Sequence, residues 1–163
     1  DGFARDVLEI ITKSHFPPTM LELELTESCM VRDPEAAEEL MRDLGSIGVQ
    51  IAIDDFGTGY SSLAYLKRFT TLDKLKIDKS FIDSIEGDKE NIITNAIISL
   101  AKSLNLKAIA EGVEDQHQAD YLKRHGCDEI QGYLISKPLS AEQLTEYASC
   151  ASLINNNVIK LAG

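Results

Sequence analysis

In the run Ile51 to Ser62, I-A-I-D-D-F-G-T-G-Y-S-S, an apolar segment ends in two adjacent carboxylates and a glycine-bearing stretch. Alternation along a strand places Ala52 and Asp54 on one face and Ile51 and Ile53 on the other. Asp54 then closes an inward row and Asp55 stands at the turn. Two neighbouring carboxylates repel unless a cation lies between them, so the pair is expected to wall a metal site at the mouth of a barrel. Gly57 and Gly59 open backbone angles closed to other residues, while Thr58, Tyr60, Ser61 and Ser62 supply hydroxyls. A solvated turn after a strand fits the Asp-Asp dipeptide equally well, and the rest of the chain decides between the two.

Four more segments show the same design of a short apolar strand with one polar phase. In Leu21 to Glu27 that phase is Glu22 and Glu24, and in Lys74 to Asp78 it is Lys74 and Lys76. In Lys107 to Glu114, Glu111 falls in register with Lys107 and Ile109; in Glu129 to Ser136, Glu129, Gln131 and Tyr133 alternate with Ile130, Gly132 and Leu134. Glu24, Asp54, Lys76, Glu111 and Gln131 are thereby expected to project toward one centre. Glu22 and Lys74 share the phase but sit lower, which favours an internal salt link over catalysis.

Helices are expected between these strands. Asp33 caps one that starts at Pro34, carries Ala37, Leu40, Met41 and Leu44 as its stripe, and ends at Gly45 and Gly48. Others run over Asn91 to Leu104, Asp115 to His125 and Ser140 to Ala148, the last with Ser140 and Gln143 as a capping box, and Ser62 to Arg68 forms a shorter one. A repeated β-α order implies a parallel sheet, and parallel barrels gather their active sites at the C-terminal strand ends, where most of the polar residues lie.

The motifs E-L-T-E-S (Glu24 to Ser28), D-D-F-G-T-G-Y-S-S-L (Asp54 to Leu63), L-K-I-D-K-S-F (Leu75 to Phe81), A-E-G-V-E (Ala110 to Glu114) and Q-G-Y-L-I-S-K-P-L (Gln131 to Leu139) occur in this order. Together they resemble the EAL domain, the bacterial phosphodiesterase of cyclic di-GMP. The resemblance implies an α/β fold, a partial TIM-like (β/α) barrel with about five βα units, against about 250 residues for a typical eight-stranded barrel. It implies that Glu24, Asp54, Asp55 and Glu111 are metal ligands and that Lys76 holds the attacking water, with Lys76 and Glu111 as the catalytic pair. Gln131 would contact a guanine, with Gly132 and Pro138 of the same run beside the substrate. Glu27 and Glu114 would be supporting carboxylates for the metal site and for the loop of Phe56, Gly57, Thr58, Gly59, Tyr60 and Ser61, which would also meet a second subunit in a homodimer. The family's Glu-Ala-Leu signature and the asparagine of its second strand are absent, so residues 1–148 are expected to be the C-terminal two-thirds of the domain and 149–163 a tail or linker. Thr70 to Asp73 is one residue longer than the family's usual link. The segment alone is expected to be inactive, and the parent to be fused to sensory or GGDEF domains.

An all-carboxylate shell selects a hard cation, Mg²⁺ or Mn²⁺, and Asp54 could bridge two such ions about 3.5 to 4 Å apart. From the residues alone the chemistry is metal-dependent phosphodiester hydrolysis; the resemblance supplies cyclic di-GMP as substrate and linear pGpG as product. A non-catalytic cyclic di-GMP receptor is the alternative, but such members usually lose the carboxylates that are intact here. A third reading is an enolase-like lyase with Lys76 as base.

The composition limits partners. A net charge of −11 disfavours duplex DNA, although a small anionic dinucleotide can bind where cations invert the local field. Cys29, Cys127 and Cys150 lack zinc spacing and fit reduced thiols in the cytoplasm, and nothing resembles a signal peptide or membrane span, though the parent could be anchored elsewhere. Asp55-Phe56-Gly57 lacks the companions of a kinase D-F-G, and Gly57-Thr58-Gly59 is no Walker motif. His15, His117 and His125 are assigned plain surface roles, and Asp83 to Glu90 a solvated loop.

Overall fold

The computed structural model describes residues 2–58, 66, 68–85 and 91–153. Among these residues five strands, β1 (Glu22–Thr26), β2 (Gln50–Phe56), β3 (Lys74–Ile77), β4 (Lys107–Ala110) and β5 (Glu129–Ile130), form one sheet in sequence order. Every adjacent pair is parallel. The helices are α1 (Phe3–Ser14), α2 (Glu27–Arg32), α3 (Pro34–Ile47), α4 (Lys79–Asp83), α5 (Ile92–Ser103), α6 (Gln116–His125) and α7 (Ala141–Leu153).

The sheet has two chemically distinct faces. Ile51, Ile53, Leu75, Ile77, Ala108 and Ala110 are buried in one cluster with Met41 and Leu44 of α3, Ile98 of α5 and Leu122 of α6. Burial of this row holds the helices against the sheet and fixes which phase of each strand faces the other way, because a slip of one residue would exchange the faces. The opposite face carries Glu22, Glu24, Asp54, Lys74 and Lys76.

Local signals set the helix ends. The Asp33 carboxylate accepts from Ala36 N–H at 3.1 Å, and Gly48 closes α3 at φ 89°. Asn91 caps α5, and Asp115 and Gln118 form a reciprocal capping box on α6. Ser140 and Gln143 also bond reciprocally, at 2.9 and 3.3 Å, ahead of α7.

The structure corrects several expectations. The fifth strand ends at Ile130, not Ser136, because the chain turns at Gly132, whose N–Cα–C unit presses so closely on Val113 that a Cβ would lie 2.2 Å from the Val113 carbonyl oxygen. The fourth ends at Ala110, although Glu111 N–H still bonds to the Ile77 carbonyl at 3.1 Å. The short helices α2 and α4 were not expected, and Glu27, read as the end of the first strand, opens α2. His125 is not a plain surface residue: its ring stacks on buried Tyr121 at 4.1 Å. His117 has its Nε2 buried without a hydrogen bond among the described residues. Cys127 is buried against the Ala108 and Glu129 carbonyls, and burial pushes its thiol up to about 12. The expected helix over Ser62 to Arg68 and the charged stretch up to Glu90 fall largely outside the described residues, as do Gly59, Tyr60 and Ser61.

Candidate metal centre

Lys76 stands at the middle of the polar face, with its side chain only 5% exposed. Its ammonium lies 2.6 Å from Glu24 Oε1 on β1, 2.9 Å from Asp54 Oδ1 on β2 and 2.7 Å from Glu111 Oε1 just past β4. Burial alone would lower the lysine's pKa, but the contacts with Asp54, Glu111 and Glu24 outweigh it and the net shift is upward. Lys76 is therefore a permanent cation. For Glu111, burial raises the pKa and the Asp54 and Glu24 charges add to the rise, against the lowering by Lys76. One ammonium thus faces three carboxylates, Glu24, Asp54 and Glu111, and burial keeps the Glu111 shift upward despite it.

Asp54, Asp55 and Glu111 each offer an oxygen, all within 4.8 Å of one another. Adjacent strand residues ordinarily point to opposite faces, so this needs a local device. Asp55 supplies it with φ 54°, at a bulge that shifts the β2–β3 register between Ile53 and Phe56. The left-handed backbone costs a non-glycine residue about 1 to 2 kcal/mol, and aspartate tolerates it better than most. Among the described residues Asp54 Oδ1 is buried yet makes no aligned hydrogen bond; its 2.9 Å approach to Lys76 is a charge contact.

The loop after Asp55 is tied down from β1's side. Glu27, 4% exposed at the start of α2, accepts the Gly57 N–H through Oε2 at 3.1 Å, while its Oε1 is buried with no hydrogen-bond partner among the described residues. Gly57 has φ 96°, and Thr58 bonds back to the Asp55 carbonyl through both N–H and Oγ1. Phe56 is buried.

The remaining expected residues lie away from Lys76. Glu114 is exposed and paired with Lys79 Nζ at 2.9 Å, so it braces α4 rather than touching the cluster. Lys79 in turn lies across Gly112 (φ 67°), where a Cβ would come 2.4 Å from its Cγ. Gln131 is exposed one residue past β5, with its backbone bonded to Ala110 and Val113. Gly132 and Pro138 follow in the turn and the exposed stretch beyond it. Beneath the cluster, Lys74 Nζ meets Glu22 Oε2 at 2.9 Å, the salt link expected from phase, and also Glu129 Oε2 at 2.7 Å, a partner not foreseen. Glu129's alternation with Gln131 was the available signal.

A family model described as the EAL domain matches residues 1–138. The chain belongs to the EAL domain family. MucR of Pseudomonas aeruginosa, named a bifunctional diguanylate cyclase/cyclic di-GMP phosphodiesterase, is 44% identical over 144 residues, which cover 88% of this chain and 21% of MucR. The solved MucR phosphodiesterase in complex with c-di-GMP aligns at TM-score 0.82 and 44% identity, over 88% of this chain and 64% of that one. The manganese/cyclic-di-GMP complex of Klebsiella pneumoniae BlrP1 aligns at TM-score 0.73 and 29% identity, over 82% of this chain and 34% of that one. The five-stranded EAL sheet is thus part of a (β/α) barrel, and the chain spans about a fifth of the length of the curated relatives it matches. Among the described residues no helix is long and apolar enough to cross a membrane.

Proposed function

We propose that this EAL segment supplies the metal-binding and water-positioning half of a site that hydrolyses cyclic di-GMP to linear pGpG. The observation that carries the reading is the convergence on Lys76 of carboxylates from β1, β2 and the end of β4, with Asp55 turned by its backbone to join Asp54 and Glu111. Motif resemblance and the names of the relatives supply the substrate.

The donor set fits a hard divalent cation. All the donors are carboxylate oxygens, Asp54 Oδ1 is buried with no aligned hydrogen bond among the described residues, and the ammonium balances only one of the charges around it. Glu24, Asp54, Asp55 and Glu111 would hold Mg²⁺ or Mn²⁺. Bound there, such ions lower the pKa of an attacking water and neutralise phosphate oxygens.

Lys76 orients the water and offsets charge that develops on the phosphoryl group, since phosphoryl transfer asks the protein mainly for positioning and electrostatics. Glu27 holds the loop beside the cluster, and Gln131 with Gly132 and Pro138 receives a guanine. Hydrolysis adds the water oxygen to one phosphorus and releases the ester oxygen as a hydroxyl, which opens the ring. Homodimerisation through the loop after Asp55 and fusion to a GGDEF domain, as MucR's bifunctional name suggests for that relative, complete the reading.

Chromatography of nucleotide products tests it in the full protein. Cyclic di-GMP should be converted to pGpG with Mn²⁺ or Mg²⁺, and not in chelator or with Ca²⁺ alone. Turnover that persists in chelator, or in Asp54→Asn, would overturn the metal-dependent reading.

A further inference from the structure

A second charged layer lies one strand repeat below the metal centre, toward the N-terminal ends of the strands. Lys74, with a side chain 13% exposed, reaches Glu22 on β1 and Glu129 on β5, while Lys107 reaches Glu129 from outside at 3.4 Å. The three members come from alternate strands, the arrangement in which inward side chains of a parallel barrel stack as layers. Such layers are ordinarily filled by branched apolar residues, which pack well from either direction and set no particular height. Here the layer is an ion triad with one geometry. Ala52, paired with Lys74 and fully buried, is small enough to let the lysine stem pass over β2 toward β1.

Each member stands two residues before a candidate site residue: Glu22 before Glu24, Lys74 before Lys76, Glu129 before Gln131. On β1 and β3 the side-chain period of two lets the height of the first fix the height of the second; past the end of β5, Gln131 keeps the step through its backbone bonds to Ala110 and Val113. The strands at either end have few other means of holding that height. β5 contributes only Glu129 and Ile130 to the ladder, and β1 pairs with β2 alone among the described residues.

We propose that Lys74 is a positioning residue that tethers β1 and β5 to β3 through Glu22 and Glu129, and so sets where Glu24 and Gln131 stand relative to Lys76. The inference rests on the reading of Glu24 as a metal ligand and Gln131 as a dinucleotide contact. A layer that merely stabilised the fold would affect both functions together. A tether with two arms affects them separately.

The test uses Glu22→Gln and Glu129→Gln in the full protein, substitutions that keep side-chain size while removing the charge that holds one arm each. Mn²⁺ affinity is measured by calorimetry without nucleotide, and KM for cyclic di-GMP by turnover. Glu22→Gln should weaken Mn²⁺ about tenfold with KM held within about twofold, and Glu129→Gln should do the opposite, tenfold being the scale on which outer partners of a ligand act. Parallel changes in both quantities, or none, would overturn the tether. Amide hydrogen exchange gives a reading independent of ligand: faster exchange confined to Leu23–Leu25 in the first variant and to Ile130–Gln131 in the second supports it, and uniform or unchanged exchange overturns it. If the wild type neither binds Mn²⁺ nor turns over cyclic di-GMP, the functional reading fails, and exchange alone decides the tether.

Discussion

Replacing Lys76 by methionine removes the ammonium that touches Glu24, Asp54 and Glu111, at 2.6, 2.9 and 2.7 Å, and leaves their charges facing one another. Stranding a buried ionic partner costs about 3 to 5 kcal/mol, and the partial exposure of Glu24 and Asp54 reduces this to about 2 to 3 kcal/mol. For a chain of this size that corresponds to a loss of about 5 to 10 °C in Tm in chelator. The same carboxylates, freed from the lysine, remain as ligands. Added Mn²⁺ should therefore raise the Tm of Lys76→Met at least as much as that of wild type, about 2.7 kcal/mol at a hundredfold excess over Kd, while turnover stays abolished. Differential scanning fluorimetry with and without Mn²⁺, paired with the turnover assay, reads all three quantities. A variant as stable as wild type in chelator would refute the charge argument, and one that Mn²⁺ fails to stabilise would refute the assignment of these carboxylates as metal ligands.

Asp55→Gly should relieve the left-handed backbone and stabilise the metal-free protein by about 1 kcal/mol while weakening Mn²⁺ binding, so that melting and calorimetry move in opposite senses. Glu27→Ala leaves the Gly57 N–H without its acceptor and should cost about 1 to 3 kcal/mol and lower turnover, with Mn²⁺ affinity unchanged by calorimetry. Glu129 feels burial, which raises its pKa, but the Lys74 and Lys107 contacts outweigh this and hold it low. Its contribution to stability is present above about pH 4.3 and is lost as pH falls through the lower folded value, so Glu129→Gln should flatten the acid limb of a stability–pH curve. Lys74 moves the other way: burial lowers its pKa, the Glu129 and Glu22 contacts raise it further, and its contribution is full below about pH 10.4 and is lost as pH rises through the higher folded value.

Much of the site could be read from alternation alone. The apolar rows Ile51/Ile53 and Leu75/Ile77 forced Asp54, Lys74 and Lys76 to the other face, and the parallel β-α order followed from the caps at Asp33 and Asp115. Asp55 could not be placed that way, because its side follows from a bulge that exists only once β2 pairs with β3. The lengths of β4 and β5 were hidden for a similar reason: Glu111 to Glu114 and Gln131 to Ser136 still alternate, but Gly132 must press against Val113, a contact between segments nearly twenty positions apart. The Lys79–Glu114 pair and the Glu129 arm of Lys74 are likewise tertiary facts, carried by long side chains whose reach no local pattern specifies.

The sheet order repeats the chain order, and this bears on how the molecule reaches its fold. Paired residues of neighbouring strands are separated by between 20 positions, for Ile109 and Glu129, and 33, for Lys74 and Lys107. Each strand can therefore dock on the one synthesised just before it, at modest loop-closure cost. The charged layer works on a longer scale, since Lys74 and Glu129 are 55 positions apart and meet only after β4 has been laid between them. The layer is thus among the last contacts to form and the first to open. Changes there should leave the folding rate almost untouched and speed unfolding, so that the ion triad acts as a latch on the lifetime of the assembled sheet.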